Sequence, residues 1–166
     1  EDTGLMAMQQ LLRKYDGKTL PRSLSLFVGN IEAARYGKRL LDQQVDYNRA
    51  WPGTDLPSCT EINLMQQVTD KMRARSPFAS IDIHNNTGLN PHYGCVNYLD
   101  NRILQLASHF SPIIVYFRRP LGVQSRAFAD FCPAITIECG KPHLADSASH
   151  AMAFIDTCLN MDSLPS

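Results

Sequence analysis

Two periodicities run along this chain. Leu5, Met8, Leu11, Leu12 and Tyr15 return at helical spacing and stop at Gly17, which predicts a helix close to the start. Leu24-Ser25-Leu26-Phe27-Val28 follows Pro21 as a short apolar run ending at Gly29-Asn30, and it reads as an internal strand. A short helix over Ile31 to Tyr36 comes next. The stretch from Gly37 to Thr60 has little periodicity, and irregular segments of that length are usually functional or disordered. Thr60 caps a helix through Ile62, Met65, Val68 and Met72, which Pro77 ends. A strand then runs to His84. An irregular stretch through Pro91 and Tyr93 follows, then a helix over Ile103 to His109. Ile113-Ile114-Val115-Tyr116-Phe117 is the strongest strand signal in the chain. Helical character over Ser125 to Phe131, a strand at Ala134-Ile135-Thr136-Ile137-Glu138, and a last helix opening at Asp146 complete the pattern.

Helices alternating with apolar strands predict an α/β fold: a three-layer α/β/α sandwich around a mixed, largely parallel sheet. A length of 166 residues fits one domain with a real core. Sixteen basic side chains balance sixteen acidic ones, so no global field draws the chain to nucleic acid or an anionic membrane. Five widely spaced cysteines without a C-x-x-C pair make a poor disulfide framework and a poor thiolate metal site. They fit a reducing cytoplasm. There is no apolar run long enough to span a bilayer and no signal-peptide pattern. The chain opens on Glu1 and enters a helix almost at once, which leads us to expect a preceding segment.

Candidate chemistry gathers where apolar strands stop. Ser80-Ile81-Asp82-Ile83-His84 breaks into Asn85-Asn86-Thr87-Gly88, and Ile135-Thr136-Ile137 ends at Glu138. In open α/β sheets, ligands bind at the carboxyl ends of strands. Alternation puts Ser80, Asp82 and His84 on one face, and Asn85, Asn86 and Thr87 offer polar neighbours to orient the imidazole; Asp82 is a further candidate partner, although side chains two apart on a strand need not touch. Neutral imidazole is the commonest metal-binding side chain, and a partly desolvated carboxylate suits proton transfer. An imidazole at a strand end also serves simply as a hydrogen-bonding group, and a glutamate there as half of an ion pair. Arg39, Asn48, Arg49 and Arg126 add groups able to grip a carboxylate or polarise a carbonyl. Loop arginines are also commonly just solvated.

Taken together, these stretches resemble the succinylglutamate desuccinylase/aspartoacylase family, a branch of the zinc carboxypeptidase superfamily. Glu1-Asp2-Thr3-Gly4 looks like that family's His-Gly-Asn/Asp-Glu motif from its glutamate onward. Gly29-Asn30-Ile31-Glu32-Ala33 is similar to its Asn-Pro-x-Ala segment. Asp46-Tyr47-Asn48-Arg49 matches Asp-x-Asn-Arg, Asp82-Ile83-His84-Asn85 matches Asp-Leu-His-Asn, and Ile137-Glu138-Cys139-Gly140 resembles Val-Glu-Val-Gly. The likeness runs from Glu1 to Gly140. The family's first zinc histidine would stand three positions before Glu1, and its C-terminal β-rich domain is not evident.

That resemblance implies one Zn²⁺ per chain, with Glu1 and His84 as ligands. It implies Glu138 as general base, Arg49 as oxyanion stabiliser, and Arg39, Asn48, Asn85 and Arg126 as substrate-binding residues. The expected function is hydrolysis of an amide bond in a small carboxylate-bearing substrate or peptide, by an N-acyl amino acid deacylase or a metallocarboxypeptidase. An esterase or deacylase using the same site is one alternative, and a non-catalytic binding module that keeps the fold is another. Neither nucleic acid nor membrane is an expected partner.

Overall fold

The computed structural model describes residues 2–164. Its elements are α1 (Thr3–Lys14), α2 (Ile31–Arg35), a 3₁₀ turn (Tyr47–Arg49), α3 (Thr60–Arg73), β1 (Ser80–His84), β2 (Tyr93–Val96), α4 (Asn101–Phe110), β3 (Ile114–Tyr116), α5 (Gln124–Phe128), β4 (Ala134–Glu138) and α6 (Ala145–Asn160). The four described strands form one sheet in the order β1-β4-β2-β3. β1 and β4 run parallel, as do β2 and β3, while β2 is antiparallel to β4. The sheet is therefore mixed.

Strand parity decides what covers each face. Ile135 and Ile137 of β4 pack with Val96 of β2 against Ile103, Leu106, Ala107 and Phe110 of α4 and Ala151, Phe154 and Cys158 of α6. Ile81 and Ile83 of β1 join Leu11 of α1 with Ile155 and Leu159 of α6 on that side. Full burial of each such side chain contributes about 1.5–3 kcal/mol, so this apolar face dominates the hydrophobic stabilisation. The opposite face carries the alternate residues. There Ala134 meets Ala127, Phe128, Met65, Ala50 and Trp51, contributed by α5, α3 and the segment after the 3₁₀ turn. Two helical layers thus enclose the sheet.

Two expected elements differ. The run Leu24–Val28 is extended but joins no ladder among the described residues, and Leu26, Phe27 and Val28 are exposed. Leu24 instead packs beside Leu11, Ile81 and Ile155, and the Phe27 ring meets Trp51 edge-on at 5.9 Å. Conversely, the segment expected to be irregular around Tyr93 contains β2. Its pairing partners on both sides, not its own apolar content, make it a strand. Gly94 supports this placement, because a Cβ there would stand 3.1 Å from the Cβ of Ala107 on α4.

One half-buried polar cluster sits on the apolar side, where β2 begins. The His92 and His150 rings stack at 4.7 Å, and Phe110 lies against both. His150 Nε2 donates to the Phe110 carbonyl at 2.8 Å, and His92 Nε2 lies 3.4 Å from Ser147 Oγ. Burial, reinforced by the facing His150, holds His92 below the ordinary imidazole value. Below pH about 6.5, the unfolded chain takes up a proton that folded His92 resists. Stability contributed here is present above that pH and is lost as the pH falls toward the lower folded value. Chemical denaturation between pH 7.5 and 5 should show this decline, and His92→Gln should flatten it.

Candidate functional site

The polar face of the sheet holds a row of side chains at the carboxyl ends of β1 and β4. In register, Ser80 faces Ala134, Asp82 faces Thr136 and His84 faces Glu138. Parity keeps Asp82, His84, Thr136 and Glu138 on the side covered by α3, α5 and the 3₁₀ turn. On the other flank of β4, Tyr93 stands opposite Glu138 and Cys95 opposite Thr136. Burial, and then the charges of Glu138 and Asp82, push the Cys95 thiol up to about 12. At neutral pH it is a protonated, inert group, not a thiolate.

His84 is held by its neighbour two residues back. Its Nε2 lies 3.0 Å from Asp82 Oδ2, and both side chains are largely shielded from solvent. A carboxylate on one ring nitrogen fixes the tautomer and raises the basicity of the other, as is usual for metal-ligating histidines. The donor chemistry on β1 therefore suits a borderline cation such as zinc. Glu1 lies outside the described residues, and among those described no three His, Cys, Asp or Glu side chains converge as a metal cage. The residue that follows Glu1 in sequence is firmly anchored: Asp2 Oδ2 lies 2.6 Å from His143 Nδ1, and Asp2 Oδ1 accepts from the His143 amide at 3.0 Å.

Asn85 does the anchoring from the β1 side. Its Nδ2 donates to Thr3 Oγ1 at 2.8 Å and to the Gly140 carbonyl at 3.0 Å, while its Oδ1 accepts from the Thr3 amide at 3.4 Å. Thr3 is fully buried. Asn86 N–H reaches the same Gly140 carbonyl at 3.0 Å, and Cys139 N–H donates to His84 O at 2.9 Å. Asn85 thus ties the start of α1 to the ends of β1 and β4. Both donor hydrogens of its amide are committed to protein partners.

The arginine-bearing loop covers the same face. Arg39 makes an ion pair with Asp46, with Nη2 at 2.9 Å and Nε at 3.2 Å from Oδ2, and Asp46 Oδ1 accepts from the Asn48 amide at 2.9 Å. Asp46 therefore orders the turn that presents Asn48 and Arg49. The loop between β3 and α5 clasps this turn. Trp51 N–H donates to Gly122 O at 3.1 Å, and Gly122 has φ +70°. A Cβ at Gly122 would fall 2.3 Å from the Arg49 carbonyl oxygen, an approach that only glycine permits. Arg49, Thr54 and Asp55 line a cleft of about 510 Å³ with Arg119, Pro120 and Leu121.

Arg126 is carried by α5, which a polar chain pins to β4. Thr136 Oγ1 donates to Ser125 Oγ at 3.0 Å, Ser125 Oγ to Asn97 Oδ1 at 2.7 Å, and Asn97 Nδ2 to the Phe117 carbonyl at 3.0 Å. Arg126 itself donates to Arg118 O at 3.2 Å and lies over the Tyr98 ring at 5.7 Å. His84, Glu138, Asn48, Arg49 and Arg126 consequently belong to elements on one side of the sheet. The sequence reading missed Tyr93 and Arg119. Tyr93 lies on the unrecognised strand, and Arg119 on a loop whose partner is distant in sequence.

Solved structures share this fold. A succinylglutamate desuccinylase from Chromobacterium violaceum superposes with TM-score 0.79 at 16% identity, over 100% of this chain and 62% of that one. One from Vibrio parahaemolyticus gives 0.76 at 12% identity, over 99% and 64%. The fold is that of the succinylglutamate desuccinylases. A succinylglutamate desuccinylase/aspartoacylase from Rhodobacter sphaeroides agrees, with TM-score 0.71 at 19% identity over 100% of this chain and 52% of that one. This chain spans between about half and two thirds of the length of these desuccinylase-fold proteins. No protein-family model and no curated protein sequence matches it. No helix among the described residues is long and apolar enough to cross a membrane.

Replacing Asn85 by Ala leaves a buried hydroxyl, an amide and a carbonyl short of partners. At about 1 kcal/mol per net hydrogen bond, the variant should lose roughly 2–3 kcal/mol in urea denaturation. Asn85→Asp should lose comparable stability, since a carboxylate cannot donate to Gly140 O.

Proposed function

We propose that this protein is a zinc-dependent N-acyl amino acid deacylase that hydrolyses the amide bond of a small, carboxylate-bearing substrate. The observation that carries the reading is the pairing of an Asp82-oriented His84 with Glu138 in adjacent register on the polar face of the sheet. The desuccinylase fold of the neighbours supports a deacylase over a carboxypeptidase.

His84, together with Glu1, would hold the zinc. When bound, such an ion acidifies a water molecule and polarises the scissile carbonyl. Glu138 takes the proton from the attacking water, stores it through the tetrahedral stage and returns it to the leaving amine. Arg49, whose backbone the Gly122 clasp holds, donates to the developing oxyanion. Asn48 and Arg126 orient the substrate carboxylate. Arg39 acts through Asp46, whose carboxylate shapes the loop that presents Asn48 and Arg49. The five cysteines are all unbonded, which supports a cytoplasmic setting.

Hydrolysis of N-succinylglutamate and N-acylaspartates by the purified protein tests the reading. Glu138→Gln should lower kcat by about 10²–10⁴-fold with zinc content unchanged. Chelation should abolish turnover, and added zinc should restore it. A Glu138→Gln variant as fast as wild type would remove the general base from this account.

A further inference from the structure

Glu138 has a register partner on each side, and the mechanism above uses only one of them. His84 flanks it from β1 and Tyr93 from β2. Directly opposed residues of an antiparallel pair share a face, with Cβ atoms about 4.5–5.5 Å apart. The Tyr93 ring therefore runs beside the Glu138 side chain. The phenol is close enough for the Glu138 charge to act on it, so ring and carboxylate rise side by side from the same face of the sheet. Tyr93 is half-buried, with its backbone held in the β2–β4 ladder. Burial, and then the negative charge of Glu138, raise its phenol above the ordinary value. The hydroxyl is consequently a hydrogen-bond donor throughout the neutral range.

A ring alone would suffice to shield one side of the carboxylate. A phenol adds a donor on the face where, in the proposed reaction, Glu138 meets the substrate. We propose that Tyr93 is a further catalytic residue of this site, donating a hydrogen bond to the substrate oxygen at the reacting centre beside Glu138. This inference rests on reading the site as a hydrolase. Tyr93 and Arg49 approach from different elements, β2 and the 3₁₀ turn, so the two donors are structurally independent.

Steady-state hydrolysis of N-succinylglutamate and N-acylaspartates by wild type, Tyr93→Phe and Glu138→Gln, with thermal midpoints and zinc contents, tests the proposal. Tyr93→Phe keeps the ring and removes the donor. It should lower kcat by about tenfold or more, leaving KM, the thermal midpoint and zinc content close to wild type. Tyr93→Trp, which restores an N–H donor on a larger ring, should recover part of the loss. If Glu138→Gln is inactive while Tyr93→Phe keeps wild-type kcat, the Tyr93 proposal fails alone. A rise in KM without a fall in kcat would move the contact away from the reacting centre, and a loss of stability matching the loss of rate would make Tyr93 structural. Either result overturns the proposal. Absence of hydrolysis by wild type would overturn the hydrolase reading and this inference with it.

Discussion

The Asn85 amide is the constraint on which the site depends. One planar group, with two donor hydrogens and a carbonyl, closes hydrogen bonds to Thr3 on α1 and to Gly140 beyond β4 while its own backbone extends β1. The three segments are far apart in sequence; β1 and β4 are already joined by their ladder, and the Asn85 side chain adds the tie to α1. Side-chain amides buried with full satisfaction specify one arrangement, because any slip strands a polar group away from water. Here the penalty falls where precision matters, one residue from His84 and two from Glu138. The His143–Asp2 contact fastens the same corner from the loop after β4.

Around that corner the sheet divides its labour by parity. One face is aliphatic and sealed by α1, α4 and α6, which supplies the hydrophobic driving force. The other carries Asp82, His84, Thr136, Glu138 and Tyr93, and its helical cover is tied down by hydrogen bonds as well as by packing. A polar face of this kind contributes less to stability than an apolar one of equal area. It holds imidazole, carboxylate and phenol in fixed order across three strands.

Much of this was legible in the chain. Apolar alternation located β1 and β4, and helical spacing located α1, α3, α4 and α6; alternation put Asp82 and His84 on one face, but only the folded chain shows that they touch. The failures have physical causes. Leu24–Val28 has the composition of a buried strand, but a strand exists only by its ladder, and composition does not report the neighbour. Tyr93–Val96 has the reverse character: Gly94 and a half-polar pattern conceal a strand made by β4 on one side and β3 on the other. The ties made by Asn85 were hidden, because nothing local reveals that its partners are Thr3 and Gly140. The role of Gly122 was equally hidden, since the close approach to Arg49 appears only in three dimensions.

Zinc binding tests the central claim most directly, because it asks whether the corner organised by Asn85 assembles a metal site, independently of any substrate. Titration of the metal-stripped protein with Zn²⁺ by calorimetry, in wild type, His84→Ala and Glu138→Gln, provides the measurement. The account predicts one zinc per chain in wild type, an affinity about 100-fold or more weaker in His84→Ala, and near wild-type binding in Glu138→Gln. Equal zinc affinity in all three proteins, or none in wild type, would contradict it.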